Sequence, residues 1–271
     1  MSGAVHLLAD TFARVSAENR AALVAYLPAG FPTVEAGIEA AVTVLRSGAD
    51  ILEIGLPHSD PVLDGPVIQT ADDIALRGGL KIADVIRTVE RAHAATGKPI
   101  LVMTYWNPVA RYGVERFAVE LAAAGGAGCI LPDVPVQESA AWREQAAAHD
   151  LATVFVVAPS TTDERLARIT AATTGFVYAA ALMGVTGTRD TVDSAAAGLV
   201  GRTRAVTGLP VCVGIGVSGP DRAAEVAGFA DGVIVGTALV KTLLDAPDHT
   251  AGLTALVALT TELARSVRRE G

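Results

Sequence analysis

Eight short apolar runs, each followed by a longer stretch of helical character, constrain this chain more than any other feature. The runs are AALVAYL (21–27), DILEIGL (50–56), PILVMTYW (99–106), GCILPDV (128–134), ATVFVVA (152–158), GFVYAAA (175–181), PVCVGIG (210–216) and GVIVG (232–236). Their length and β-branched content are those of buried strands. The Ala- and charge-rich stretches at 34–46, 81–95, 114–124, 138–148, 162–171, 191–206 and 220–227 read as helices. Strict alternation of strand and helix requires parallel strands with helical crossovers. Eight such units fit a closed, eight-stranded parallel (β/α)8 TIM barrel better than a doubly wound open sheet. An additional amphipathic helix is expected at the N-terminus, where Asp, Arg and Glu interrupt the apolar residues of MSGAVHLLADTFARVSAENR and argue against a signal peptide. A C-terminal helix over 251–269 carries its basic residues near its end, as the helix dipole favours. With no linker to divide it, residues 1–271 are expected to form one α/β barrel domain.

Charge and cysteine usage narrow the partners. The net charge of −8, with no Lys/Arg-rich run, argues against a nucleic-acid surface, so an anionic ligand needs a local positive field instead. Cys129 and Cys212 each lie within an apolar run and read as buried thiols, which suits a reducing cytoplasm. No run is long enough to span a membrane.

The second run and its loop, ILEIGLPHSDPVLDGP (51–66), place one acid inside a strand and another just beyond it. On strand alternation Glu53 shares a face with Ile51 and Gly55, while Leu52, Ile54 and Leu56 take the other. Burial would raise Glu53 towards neutrality, and Asp64 in the more polar loop could stay ionised, a division suited to acid/base chemistry. Gly55 would leave room for a ligand. The alternative is structural, with Glu53 paired to a buried base and Asp64 capping a turn before Gly65 and Pro66.

Three glycine-rich segments follow the last three strands: GVTGTR (184–189), GIGVSGP (214–220) and VGTALV (235–240). Glycines let backbone N–H groups approach an anion, and a short helix starting near Thr237 would add the positive end of its dipole. Barrels frequently hold phosphate at the seventh and eighth loops. Thr237 could donate its hydroxyl there, serve as an N-cap, or do both.

Other chemistries lack their residues. Lys81, Lys98 and Lys241 are the only lysines, and none lies inside a strand where an imine-forming amine is expected. His6, His93, His149 and His249 are scattered, only His58 is near Glu53, and no metal-ligand spacing occurs. No GxGxxG follows the first strand. The residues describe a metal-free barrel that binds a small phosphate ester and moves protons with carboxyl groups.

Beyond these physical readings, LEIGLPHSDPVLDGPVIQ (52–69), YLPAGFP (26–32), PDVPVQES (132–139), GVTGTR (184–189) and GIGVS (214–218) resemble the tryptophan synthase alpha chain family in one register from Tyr26 to Lys241. The resemblance implies a (β/α)8 lyase that cleaves indole-3-glycerol phosphate to indole and glyceraldehyde 3-phosphate. It implies no cofactor in this chain, since pyridoxal phosphate belongs to the partner beta chain of an α2β2 complex. It further implies that Glu53 shuttles the proton and that Asp64 bonds the indole N–H. Gly187, Gly216, Gly236 and Thr237 would contact phosphate, and Tyr26 and Tyr178 would line the indole pocket, although Tyr26 also suits an ordinary core position. Thr186 would bond the catalytic loop when the loops at 57–66 and 182–194 close. His58 departs from the pattern, standing where the family commonly has an aromatic such as phenylalanine. A phosphosugar isomerase or epimerase on a related barrel, and a non-catalytic subunit that only binds a phosphate ester, remain the alternatives.

Overall fold

A computed structural model describes residues 3–59, 64–180, 189–214 and 216–269. Nine parallel strands form one sheet: β1 Ala22–Pro28, β2 Ile51–Gly55, β3 Ile100–Met103, β4 Gly128–Ile130, β5 Ala152–Val154, β6 Val156–Val157, β7 Val177–Ala180, β8 Val211–Gly214 and β9 Gly232–Val235. The extra strand arises because the run at 152–158 is interrupted at Phe155. β5 pairs with β4 and β6 pairs with β7, so these two short strands, one residue apart, close the sheet into the expected eight-fold barrel. Phe155 keeps its carbonyl in the ladder, accepting a hydrogen bond from the Tyr178 backbone N–H at 3.1 Å.

Two apolar layers hold the barrel. Leu52, Ile54 and Leu56 face outward into a core shared with α2 (Val34–Arg46) and α4 (Ile82–Thr96), whose Val44, Leu45, Val85 and Val89 are wholly buried. Ile51, Leu101, Ile130, Val154 and Ile234 face inward, and the N-terminal helix α1 (Ala4–Ala17) packs Leu8, Phe12 and Val15 against that interior. Phe12 meets Phe176, just ahead of β7, with ring centroids 5.8 Å apart. Helix α1 therefore closes the amino-terminal mouth and leaves the carboxyl ends of the strands for chemistry.

Helices α2 and α10 (Pro220–Ala227) fall where the periodicity placed them. The Thr33 hydroxyl caps α2 by accepting from the Ala36 N–H at 3.3 Å. Two helices had no counterpart in the sequence reading: α3 (Pro66–Arg77) and α5 (Trp106–Tyr112). Helix α3 starts with Pro66 at its first position, where a missing N–H costs nothing. Helix α5 cuts the third run short because both Asp133 carboxylate oxygens accept from the Trp106 N–H at 3.0 Å, a cap supplied from 27 residues away. Among the described residues no helix is long and apolar enough to cross a membrane.

Candidate active site

The site begins where β1 and β2 lie side by side, in a register that pairs Tyr26 with Glu53. Alternation along each strand points both side chains inward with Val24 and Ile51. Glu53 is fully buried, and among the described residues neither carboxyl oxygen has a hydrogen-bond partner. The sequence had left open a buried basic partner for Glu53; among the described residues there is none. An unpaired buried carboxylate is costly, so the group keeps its proton, and burial pushes its pKa from 4.5 to about 8.

Two tyrosines roof the acid in matching ways. The space at Gly55 is filled by Tyr26, since a Cβ there would lie 2.2 Å from the tyrosine hydroxyl. That space is therefore not the ligand room expected from the sequence. Across the barrel, Tyr178 pairs in register with Cys212, and its hydroxyl occupies the space at Gly214, 2.3 Å from a Cβ built there. Burial, followed by the negative fields of Glu53 and Asp64, raises the Tyr178 phenol well above its ordinary value. Tyr26 is raised chiefly by burial too, then by Asp72, Asp64 and Glu53. These shared fields place Glu53, Asp64, Tyr26 and Tyr178 in one chamber.

Asp64 sits just before α3 and accepts a hydrogen bond from the Tyr105 hydroxyl at 3.4 Å. Burial raises its pKa, and the Tyr105 bond opposes that rise. Asp64 is thus less freely ionised than a polar loop had suggested. His58 stacks on the ring of Tyr105, with centroids 5.0 Å apart and planes 31° from parallel, so it occupies its position as an aromatic ring would.

Gly216, Gly236 and Thr237 lie at the ends of β8 and β9. Gly216 adopts φ +89°, a conformation that favours glycine. Gly236 is the N-cap of α11 (Thr237–Leu244) and, as a glycine, brings no side chain to the helix N–H groups; a Cβ on it would sit 3.2 Å from the Tyr26 ring. Thr237 is the exposed first residue of that helix, not its cap. Gly187 and Thr186 lie outside the described residues.

Asp72 and Tyr105 belong to this chamber, and sequence reasoning missed both. The signal for Asp72 was present: on α3 the buried stripe is Ile68, Ala71, Asp72 and Ala75, so an acid occupies an apolar position. Tyr105 follows β3 directly, but nothing in its own run marks it as an Asp64 partner.

A parallel (β/α)8 barrel with a buried, proton-bearing carboxyl at the carboxyl ends of its strands defines an acid/base enzyme of the barrel class. The family model of the tryptophan synthase alpha chain matches residues 12–268. The tryptophan synthase alpha chain of Streptomyces coelicolor is 71% identical over 268 residues, covering 99% of each chain. Among solved structures, tryptophan synthase from M. tuberculosis superposes with a TM-score of 0.89 at 48% identity, covering 97% of this chain and 98% of the other. The alpha subunit from Legionella pneumophila gives 0.88 at 32% identity over 96% and 98%. The chain belongs to the tryptophan synthase alpha chain family, and it is an indole-3-glycerol-phosphate lyase of tryptophan biosynthesis.

Proposed function

We propose that Glu53 is the proton shuttle of this lyase and that Asp64 stabilises the charge formed on the indole ring. The observation that carries this reading is the full burial of Glu53 without a hydrogen-bond partner among the described residues. At neutral pH a carboxyl whose pKa is about 8 starts protonated. It gives its proton to indole C3, and the ring becomes a cationic indolenine. The resulting carboxylate takes the proton from the hydroxyl on the glycerol carbon bonded to C3. That O–H pair forms the aldehyde C=O, and the C–C bond pair returns to the ring. Indole and glyceraldehyde 3-phosphate leave, and Glu53 is protonated again. The Asp64 carboxylate accepts the indole N–H bond, which strengthens as positive charge builds.

The start of α11, where the glycine N-cap brings no side chain to the first N–H groups, and the backbone at Gly216 support phosphate binding there, with Gly236, Thr237 and Gly187 completing the cradle. Anchoring phosphate fixes the reacting carbon against Glu53. Tyr26 and Tyr178 would flank the indole. On this reading residues 1–271 act as one domain in the cytoplasm and need no cofactor of their own. They would assemble with a pyridoxal-phosphate beta chain as an α2β2 complex, in which loop closure involving Thr186 couples the two subunits. Purified chain incubated with indole-3-glycerol phosphate, with and without a beta chain, tests the proposal through indole release. Release should be slow alone, faster in the complex and ~10²–10⁴-fold lower in Glu53→Gln. Phosphosugar turnover without indole would instead point to an isomerase.

A further inference from the structure

His58 takes no part in the proton-transfer steps above, yet it lies against a side chain that reaches one of the two acids. Its half-buried ring stacks on Tyr105, with centroids 5.0 Å apart and planes 31° from parallel, a separation at which ring pairs attract. The Tyr105 hydroxyl in turn donates to Asp64 Oδ2 at 3.4 Å. His58 and Asp64 stand near the two ends of the loop between β2 and α3, so both ends of that loop meet one tyrosine from the end of the neighbouring strand β3. The backbones are fixed separately. Tyr105 is held on both flanks, because the Thr104 N–H donates to the Ile130 carbonyl at 3.1 Å and the Trp106 N–H donates to Asp133 at 3.0 Å. Asp64 is held to α3, its carbonyl accepting from the Gln69 side chain at 2.7 Å. Neither set of bonds sets the direction of the Tyr105 ring. That direction turns on two side-chain torsions, and flat contact with another ring restricts them. At 3.4 Å the hydroxyl is already close to the limit of a hydrogen bond, so a small rotation of the ring would break it.

Resting on the reading of Asp64 as the indole-facing charge, we propose that His58 is a positioning residue: its ring holds Tyr105 with the hydroxyl on Asp64, and that bond keeps the carboxylate aimed at the indole N–H. The bond also favours the charged form of Asp64, opposing the rise that burial imposes. His58 touches neither substrate nor reacting atoms on this account. Its contribution is the flat face it offers Tyr105, so a phenyl ring in its place should serve as well, and a side chain without a ring should not.

The test is a double-mutant cycle in the full-length chain, reading kcat/KM for indole-3-glycerol phosphate and the dissociation constant of glycerol phosphate, which has no indole ring. His58→Ala and Tyr105→Phe should each lower kcat/KM about fivefold, the scale of one hydrogen bond, and leave glycerol phosphate binding unchanged. The double variant should be no worse than Tyr105→Phe alone, because the hydroxyl through which His58 acts is already gone. His58→Phe should restore the wild-type value. A loss from His58→Ala that persists in full beside Tyr105→Phe overturns the proposal, as does a wild-type kcat/KM in His58→Ala or a failure of His58→Phe to restore it. If His58→Ala does not fold, His58→Leu, which keeps bulk without a flat face, takes its place in the cycle. Failure of the underlying Asp64 reading shows separately, as normal turnover in Asp64→Asn.

Discussion

Asp50, just ahead of β2, and Glu53, in the middle of that strand, are three residues apart, both buried and opposite in electrostatic state. Asp50, 3% exposed, receives Arg20 through both guanidinium nitrogens at 2.6 and 2.8 Å, Arg14 at 3.0 Å and the Leu23 N–H at 3.0 Å. Burial pushes its pKa up, but the bonds from Arg20, Leu23 and Arg14 together outweigh that and hold it below its ordinary value. Glu53, nearer the carboxyl end, receives no hydrogen bond from the described residues, and burial takes it to about 8. The amino-terminal face spends its charged groups on one another, while the carboxyl-terminal face leaves its acid uncompensated. A buried carboxyl with partners is architecture; one without them is a proton store.

Exchanging acid for amide at each position separates the two roles. Glu53→Gln should lower indole release by ~10²–10⁴-fold, measured with glycerol phosphate affinity retained. It should not cost stability, because wild-type folding is penalised as pH rises from 4.5 to about 8, where the unfolded chain ionises and the folded one does not. Asp50→Asn should do the reverse, destabilising the fold by ~2–3 kcal/mol in a denaturant titration, since the buried Arg20 loses its charged partner at both terminal nitrogens and keeps only Glu18 at Nε, while turnover per folded molecule stays close to wild type. The depressed pKa of Asp50 fixes the sign of the pH effect. The difference from Asp50→Asn should be full at neutral pH and shrink as pH falls through the folded-state value, below about 4. A smaller effect is expected at the phosphate end. Gly236→Asp puts a negative charge before the α11 N–H groups and should raise KM roughly 10- to 100-fold, the scale of a lost charge-assisted hydrogen bond. An unchanged KM would detach that loop from the site. Smallest is Tyr105→Phe, which removes a 3.4 Å hydrogen bond to Asp64 and should cost about 1 kcal/mol in kcat/KM.

Much of this contrast was legible in the sequence. An acid inside ILEIGL, on the face opposite Leu52 and Ile54, is a local pattern, and local patterns survive folding. The strand and helix alternation that fixes the barrel is of the same kind. Other features depend on partners distant in sequence. The cap that Asp133 places on Trp106 and the occupation of Gly55 space by Tyr26 exist only after the strands are in register. Asp50 shows the same limit, since its neutralisation by Arg20 and Arg14 comes from residues 30 and 36 positions earlier. Asp72 was hidden for a different reason. It lies in a helix that follows a Pro/Gly-rich loop and that the strand-by-strand reading passed over, although its place on an apolar stripe was visible.

Glu53 carries its proton into the neutral range because no described residue inside the barrel compensates its charge. A titration of the glutamate carboxyl carbons by carbon-13 NMR, with the Glu53 signal assigned by its loss in Glu53→Gln, reads this directly. A transition near 8 is expected for that signal alone. A transition in the ordinary carboxylate range, near 4.5, would contradict it.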